Sequence, residues 1–127
     1  MKFNLYLCAV NANQILGAQG EQLIADYVEE SGNRIIERNW RTDFGEIDLI
    51  AESPQGLIIF IEVKTRSSLR FGQPLEAIHL QKALRLRKLA LAWLGEHGEY
   101  RQYRVDCAGV LLVRGERPVI DYRAGVL

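Results

Sequence analysis

Three residues of this 127-residue chain, Asp48, Glu62 and Lys64, have types and a spacing that could do chemistry. They stand in two apolar runs, Gly45-Glu46-Ile47-Asp48-Leu49-Ile50-Ala51 and Leu57-Ile58-Ile59-Phe60-Ile61-Glu62-Val63-Lys64. Read as strands, the second run sets Leu57, Ile59, Ile61 and Val63 on one face and Ile58, Phe60, Glu62 and Lys64 on the other. In the first, Ile47, Leu49 and Ala51 share a face, and Glu46, Asp48 and Ile50 share the opposite one. Glu52-Ser53-Pro54-Gln55-Gly56 has turn chemistry and returns the chain antiparallel. Pairing outward from a turn centred near Pro54 or Gln55 places Asp48 opposite Ile61 or Glu62. Opposed Cβ atoms lie about 4.5–5.5 Å apart, and two carboxylates at that spacing repel unless positive charge sits between them. Mg²⁺ suits such a pair, because it takes oxygen ligands at about 2.1 Å, usually one or two carboxylates with waters and phosphate. The same three charges could instead form a structural ion-pair cluster at the rim of a buried sheet.

A third acid and a basic stretch lie within reach. In a helical pattern from about Asn13 to Ser31, Leu16, Gly20, Leu23, Ile24, Tyr27 and Val28 form one apolar face. Glu21 is in register with Ile24, Ala25 and Val28, so its carboxylate points toward the core side, where it is costly without a partner. Either a lysine reaches across to it, or it meets the same cation as Asp48 and Glu62. Between Lys64 and Lys88 the cations are Lys64, Arg66, Arg70, Lys82, Arg85, Arg87 and Lys88, against the single anion Glu76. Arg66, Arg70, Lys82, Arg85 and Lys88 read as phosphate-contacting residues or, alternatively, as an ordinary solvated face.

These residues need scaffolding, and the pattern supplies it. Gly32-Asn33 closes the first helix. Arg34 to Asn39 is the first strand, and Trp40 to Phe44 leads into the hairpin, with Trp40 either packing or stacking on a base. A polar ten-residue loop, Thr65 to Pro74, follows Lys64. The longest helix spans Leu75 to about Gly95, with Ile78, Ala83, Leu86, Leu89, Ala90, Trp93 and Leu94 as its apolar face. Tyr103 to Val113 is a further strand, which the β–α–β order sets parallel to the Glu62 strand. Asp106 sits among apolar neighbours near the start of this further strand and is a weaker candidate for the site, its favoured reading being structural. Val119 to Tyr122 adds a short edge strand. The result is an α/β domain, residues 1–127 in one unit with 1–13 as an N-terminal arm. Its mixed central sheet has four to five strands flanked by helices in the order α-β-β-β-α-β.

Composition narrows the function. The formal net charge is zero, so any surface for nucleic acid must be local. Cys8 and Cys107 match no metal-ligand spacing and, without a secretory signal, suggest a reducing, cytoplasmic setting. His79 and His97 are too few for a zinc site and read as helix-surface residues. No segment approaches the roughly 20 apolar residues of a membrane span.

Asp48 followed by Glu62-x-Lys64 resembles the motif of the PD-(D/E)xK nuclease superfamily, whose restriction-endonuclease-like core has this order of elements. From Gly17 onward the chain also resembles the YraN family of small bacterial proteins. The matching pieces are Gly17-Ala18-Gln19-Gly20-Glu21, Asn39-Trp40-Arg41, Gly45-Glu46-Ile47-Asp48-Leu49-Ile50, Ile61-Glu62-Val63-Lys64-Thr65-Arg66, and Gly72-Gln73-Pro74-Leu75-Glu76-Ala77-Ile78 followed by Lys82. That family is in turn similar to archaeal Holliday-junction resolvases, which place a helix glutamate beside the triad. The resemblance implies a DNA endonuclease dependent on Mg²⁺ or Mn²⁺. Asp48, Glu62, the Val63 carbonyl and Glu21 would hold the metal, and Lys64 would serve the attacking water. Few elements remain to read base edges, which favours selection by branched or other non-B-form shape. Cutting both strands of a junction would take a homodimer, for which the N-terminal arm is a candidate interface. A non-cleaving DNA-binding module and a protein-interaction module, each serving a recombination or DNA-uptake machine, are the competing classes.

Overall fold

The computed structural model describes residues 12–70, 72–77, 80–98 and 101–126. The expectations for residues 1–11, Cys8 included, and for Ile78 and His79 fall outside that set. Helix α1 (Ala12–Glu30) precedes three strands, β1 (Arg34–Thr42), β2 (Gly45–Glu52) and β3 (Ile58–Arg66). A single 3-10 turn (Pro74–Ala77) then leads to α2 (Leu80–Glu96), followed by β4 (Tyr103–Leu111) and β5 (Val119–Arg123). The strands form one sheet in the order β1-β2-β3-β4-β5. Only β3 and β4 run parallel, as the crossover through α2 requires, and the other neighbours are antiparallel.

Both faces of the sheet are covered, which is why β2 and β3 are apolar on both sides. Ile50, Ile58, Phe60, Val105 and Cys107 pack under Leu86, Leu89, Ala90, Trp93 and Leu94 of α2. Leu49, Ala51, Ile59, Ile61, Ala108 and Val110 pack under Ile24, Ala25 and Val28 of α1. Each such large side chain contributes about 1.5–3 kcal/mol on burial. Trp40 is partly buried against the α2 layer, so its role is packing.

Helix α1 ends as its sequence dictates. Gly32, at φ +97°, supplies the left-handed residue. The N–H groups of Gly32 and Asn33 then reach back to the carbonyls of Glu29 and Val28, the Schellman pattern. The helix is seated by a second glycine. A Cβ on Gly20 would lie 1.9 Å from Thr65 Oγ1 and 2.9 Å from its Cβ. Gly20→Ala is therefore expected to push α1 off β3 and lower unfolding stability by about 1–3 kcal/mol, read by denaturant melts.

Besides β4, which ends at Leu111 and not Val113, three boundaries differ from those expected. Strand β1 runs past Asn39 to Thr42 and pairs down to Thr42↔Gly45 across a tight turn. The pairing carries through Asn39, which takes φ +52°, a left-handed conformation that asparagine tolerates better than most residues. Strand β3 continues to Arg66, because Leu112 N–H and the β4 register hold it there, which shortens the following loop. Helix α2 starts at Leu80, since Pro74 and Leu75 close a separate turn against Gly109 of β4. A further departure concerns side-chain direction. Ile47 and Leu49, expected on one face, lie on opposite faces, Ile47 in the α2 layer and Leu49 in the α1 layer. The switch falls between the pairs Arg38↔Leu49 and Trp40↔Ile47, where Asn39 and Asp48 stand. The left-handed Asn39 stands at that level, and the register of the pair shifts farther along, between Ile35 and Glu37.

Candidate active site

The ladder between β2 and β3 stops at Leu49↔Ile61. Carried one step further, the same register sets Asp48 against Glu62, one of the two pairings the turn allowed. The strands part there, and the Asp48 side chain takes over from the main chain: its Oδ2 accepts the Val63 N–H at 2.8 Å. This bond holds the carboxyl against the rim of the sheet. Asp48 is 7 % exposed and Glu62 8 %.

Both acids line one cavity of about 330 Å³ together with Gly45, Glu46, Val63, Lys64, Lys82, Arg85, Leu86 and Leu89. Burial, then the charge of Glu62, push the Asp48 carboxyl up to about 8 despite the opposing Val63 bond. A buried carboxyl beside a second negative charge holds its proton to higher pH. Positive charge arrives from two lysines. Lys82 Nζ lies 2.9 Å from Glu62 Oε1. Burial depresses the Lys82 ammonium, but the bond and charge of Glu62 outweigh it, so the net direction is upward. Lys64 goes the other way: burial, then the charge of Lys82, lower it.

Glu21 reaches the site from the other side of β3. It lines a neighbouring cavity of about 480 Å³ with Asn13, Leu16, Gly17, Val63, Lys64, Thr65, Arg66, Ser67 and Ser68. Val63 and Lys64 belong to both cavities. Burial and then the charge of Glu46 raise the Glu21 carboxyl, and a hydrogen bond from Asn39 works against them. Among the described residues Asn39 is a hydrogen-bond partner of Glu21. Among the described residues no group of three or more His, Cys, Asp or Glu side chains stands ready to hold a metal ion. The convergent acids are the pair Asp48 and Glu62, with Glu21 felt through its charge.

The basic residues divide. Lys82 and Arg85 line the carboxylate cavity, and Arg66 lines its neighbour, where its Nε is buried without a hydrogen-bond partner. Arg70 is exposed in the loop between them. Lys88 stands over the Phe44 ring at 4.8 Å, a cation–π contact on the β1–β2 turn. Lys82, read from sequence as one of an outer row, is instead the ion-pair partner of Glu62. The two lie on different elements, far apart along the chain, which gives no sequence signal for the pair. Asn39 was also missed, although its place in Asn39-Trp40-Arg41 ahead of a hairpin is a cue for a left-handed residue.

Asp106 proves structural. Fully buried, it accepts bonds from Arg104 Nε and Nη2 at 2.8 and 2.9 Å, from the Tyr122 hydroxyl, and from the Gly125 N–H at 2.9 Å. Asp106→Ala is expected to cost about 2–4 kcal/mol of stability by stranding these donors. Calorimetric titration of the folded variant should give the wild-type response to divalent cations. His97 stacks on Trp93 at 3.8 Å at the far end of α2, away from any acid of the site.

Residues 20–110, which include Glu21, Asp48, Glu62 and Lys64, match the model of "Uncharacterised protein family UPF0102". A UPF0102 protein of Nocardia farcinica is 47% identical over 121 residues, covering 94% of each chain. One from Beutenbergia cavernae is 42% identical over 118 residues, 92% of this chain and 99% of that one. One from Renibacterium salmoninarum is 46% identical over 112 residues, 87% of this chain and 94% of that one. Among solved structures, an EndoMS–double-stranded DNA complex aligns with TM-score 0.45 and 20% identity, over 66% of this chain and 31% of that one. Pyrococcus furiosus SfsA in complex with Ca²⁺ aligns with TM-score 0.43 and 18% identity, over 92% and 66%. A family match across most of the chain, with relatives of 42% and 47% identity aligned over nearly all of it, leaves one assignment: the chain belongs to the UPF0102 family.

Proposed function

We propose that the protein is a nuclease that hydrolyses DNA phosphodiesters with a divalent cation, Mg²⁺ or Mn²⁺, acting on branched or otherwise non-B-form substrates. One observation carries the reading: two buried carboxyls, Asp48 and Glu62, converge on a single cavity that also holds two ammonium groups. The donor set fits the ion, because carboxylate and carbonyl oxygens are the ligands Mg²⁺ and Mn²⁺ prefer. Asp48, Glu62 and the Val63 carbonyl would hold it, with Glu21 supporting from the adjoining cavity. When bound, the ion supplies Lewis-acid stabilisation of charge on the phosphate.

The chain's own residues do the rest. The Val63 N–H fixes Asp48, so the acid does not have to be ordered during reaction. Lys64, depressed by burial and by Lys82, is suited to accept a proton from the attacking water. Arg85 at the carboxylate cavity and Arg66 at its neighbour would position backbone phosphates on either side of Lys64, with Arg70 between. Such contacts position a backbone and carry no base information. Shape selection follows. Paired cuts across a junction would require a homodimer.

The test is a Mn²⁺ and Mg²⁺ titration followed by thermal melting, then incubation with four-way junction, flap and duplex DNA. Cation-dependent stabilisation with cleavage of the branched substrates is expected. Melting curves indifferent to either cation would favour a protein-interaction module. Binding without cleavage at every metal concentration would favour a non-cleaving DNA-binding module.

A further inference from the structure

We propose that Lys82 is the counter-ion of the carboxylate pair, which holds Glu62 when no divalent cation is bound and is displaced when one binds. The inference rests on the reading of Asp48 and Glu62 as a cation site, and it adds a competitor that sets the affinity of that site. The observation is the placement of the Lys82 ammonium 2.9 Å from Glu62 Oε1, at the carboxylate cavity. Glu62 is nearly buried, and its neighbours Asp48 and Glu21 are acids, so without a cation the oxygen needs this ammonium. Lys82 is delivered by the first turn of α2, an element separate from the hairpin that carries the acids.

A lysine suits the role better than an arginine. Its charge is compact and its four-carbon stem can swing without moving the backbone. The side chain is about a third exposed, so it has solvent to swing into. A divalent cation on Glu62 Oε1 and an ammonium on the same oxygen repel each other. Binding of the first therefore releases the second. The freed ammonium then stands at the cavity where a substrate phosphate would lie, so loading with cation and readiness for an anionic substrate are coupled.

Mn²⁺ alone is the probe. Calorimetric titration of Lys82→Gln should show half-saturation at roughly tenfold lower Mn²⁺ than wild type, and Lys82→Arg should restore weaker binding. Unchanged or weaker Mn²⁺ affinity in Lys82→Gln would overturn the proposal while leaving the cation site standing. No Mn²⁺ binding by either wild type or Lys82→Gln would overturn the cation site itself. A second readout needs no variant. Amine acylation of wild type, mapped by mass spectrometry, should rise several-fold at Lys82 on saturation with Mn²⁺ and stay constant at Lys88. Acylation of Lys82 that stays level or falls on saturation would mark a permanent structural bridge.

Discussion

Asp48→Asn is expected to lower DNA cleavage at saturating Mn²⁺ by about a thousandfold or more, while making the metal-free protein more stable at alkaline pH. The two effects have one origin. Asparagine keeps an oxygen for the Val63 N–H but loses the charge that a divalent ion needs. A thousandfold is about 4 kcal/mol, within what a metal ion supplies to a phosphoryl transition state. The stability effect follows from proton linkage. Burial and Glu62 raise the Asp48 carboxyl to about 8 in the folded protein, against an ordinary value of 3.8. Between these values the folded chain holds a proton that the unfolded chain has released, so wild-type stability falls as pH rises through the window. At about 1.4 kcal/mol per unit, the full contribution is at most on the order of 6 kcal/mol. The Asp48→Asn side chain does not titrate, so the variant's melting temperature should fall less than that of wild type between about pH 5 and 8. Added Mn²⁺ should flatten the wild-type curve by replacing the proton. A variant that cleaves normally, or a wild-type curve that rises with pH, would refute the assignment.

The second large effect is expected at Lys64. Lys64→Met should lower kcat by about 10²–10⁴, the range for a lost proton acceptor, with little change in DNA affinity at low salt. Burial and the Lys82 charge lower the Lys64 ammonium, so the fraction able to accept a proton increases with pH below its ordinary range. Wild-type kcat should rise along that limb, and the Met variant should lack the rise. Lys64→Arg separates two roles. If Lys64 accepts a proton, arginine, always charged, does not rescue. If Lys64 only offsets charge on the phosphate, arginine restores much of the rate. Pre-steady-state cleavage of a labelled junction at several pH values measures both, and a Met variant with wild-type kcat would remove Lys64 from the chemistry.

Sequence alone determined the parts of this protein that depend on neighbours along the chain. Period-two alternation marked Gly45–Lys64 as a hairpin, and an apolar character on both faces marked it as covered. The Schellman glycine Gly32 and the three- and four-residue spacing of α1 and α2 made the helices legible. The turn at Pro54-Gln55 limited Asp48 to two possible partners across the strand. Strand register is set locally, and a ladder that ends at Leu49↔Ile61 points to Glu62 of the two.

Tertiary structure decided what local rules cannot see. Ile47 and Leu49 lie on opposite faces on either side of the residue that carries the acid, at the level of the left-handed Asn39. Glu21 is placed by how closely α1 approaches β3, which depends on Gly20 lying against Thr65. Lys82 looked like one cation in an outer row, yet α2 sets it on Glu62. Asp106 is silenced by donors from Arg104, Tyr122 and Gly125, the last two 16 and 19 residues away. In each case the deciding energy is between groups distant in sequence: a clash, an ion pair or a buried hydrogen bond. Their strength depends on distances that only packing sets.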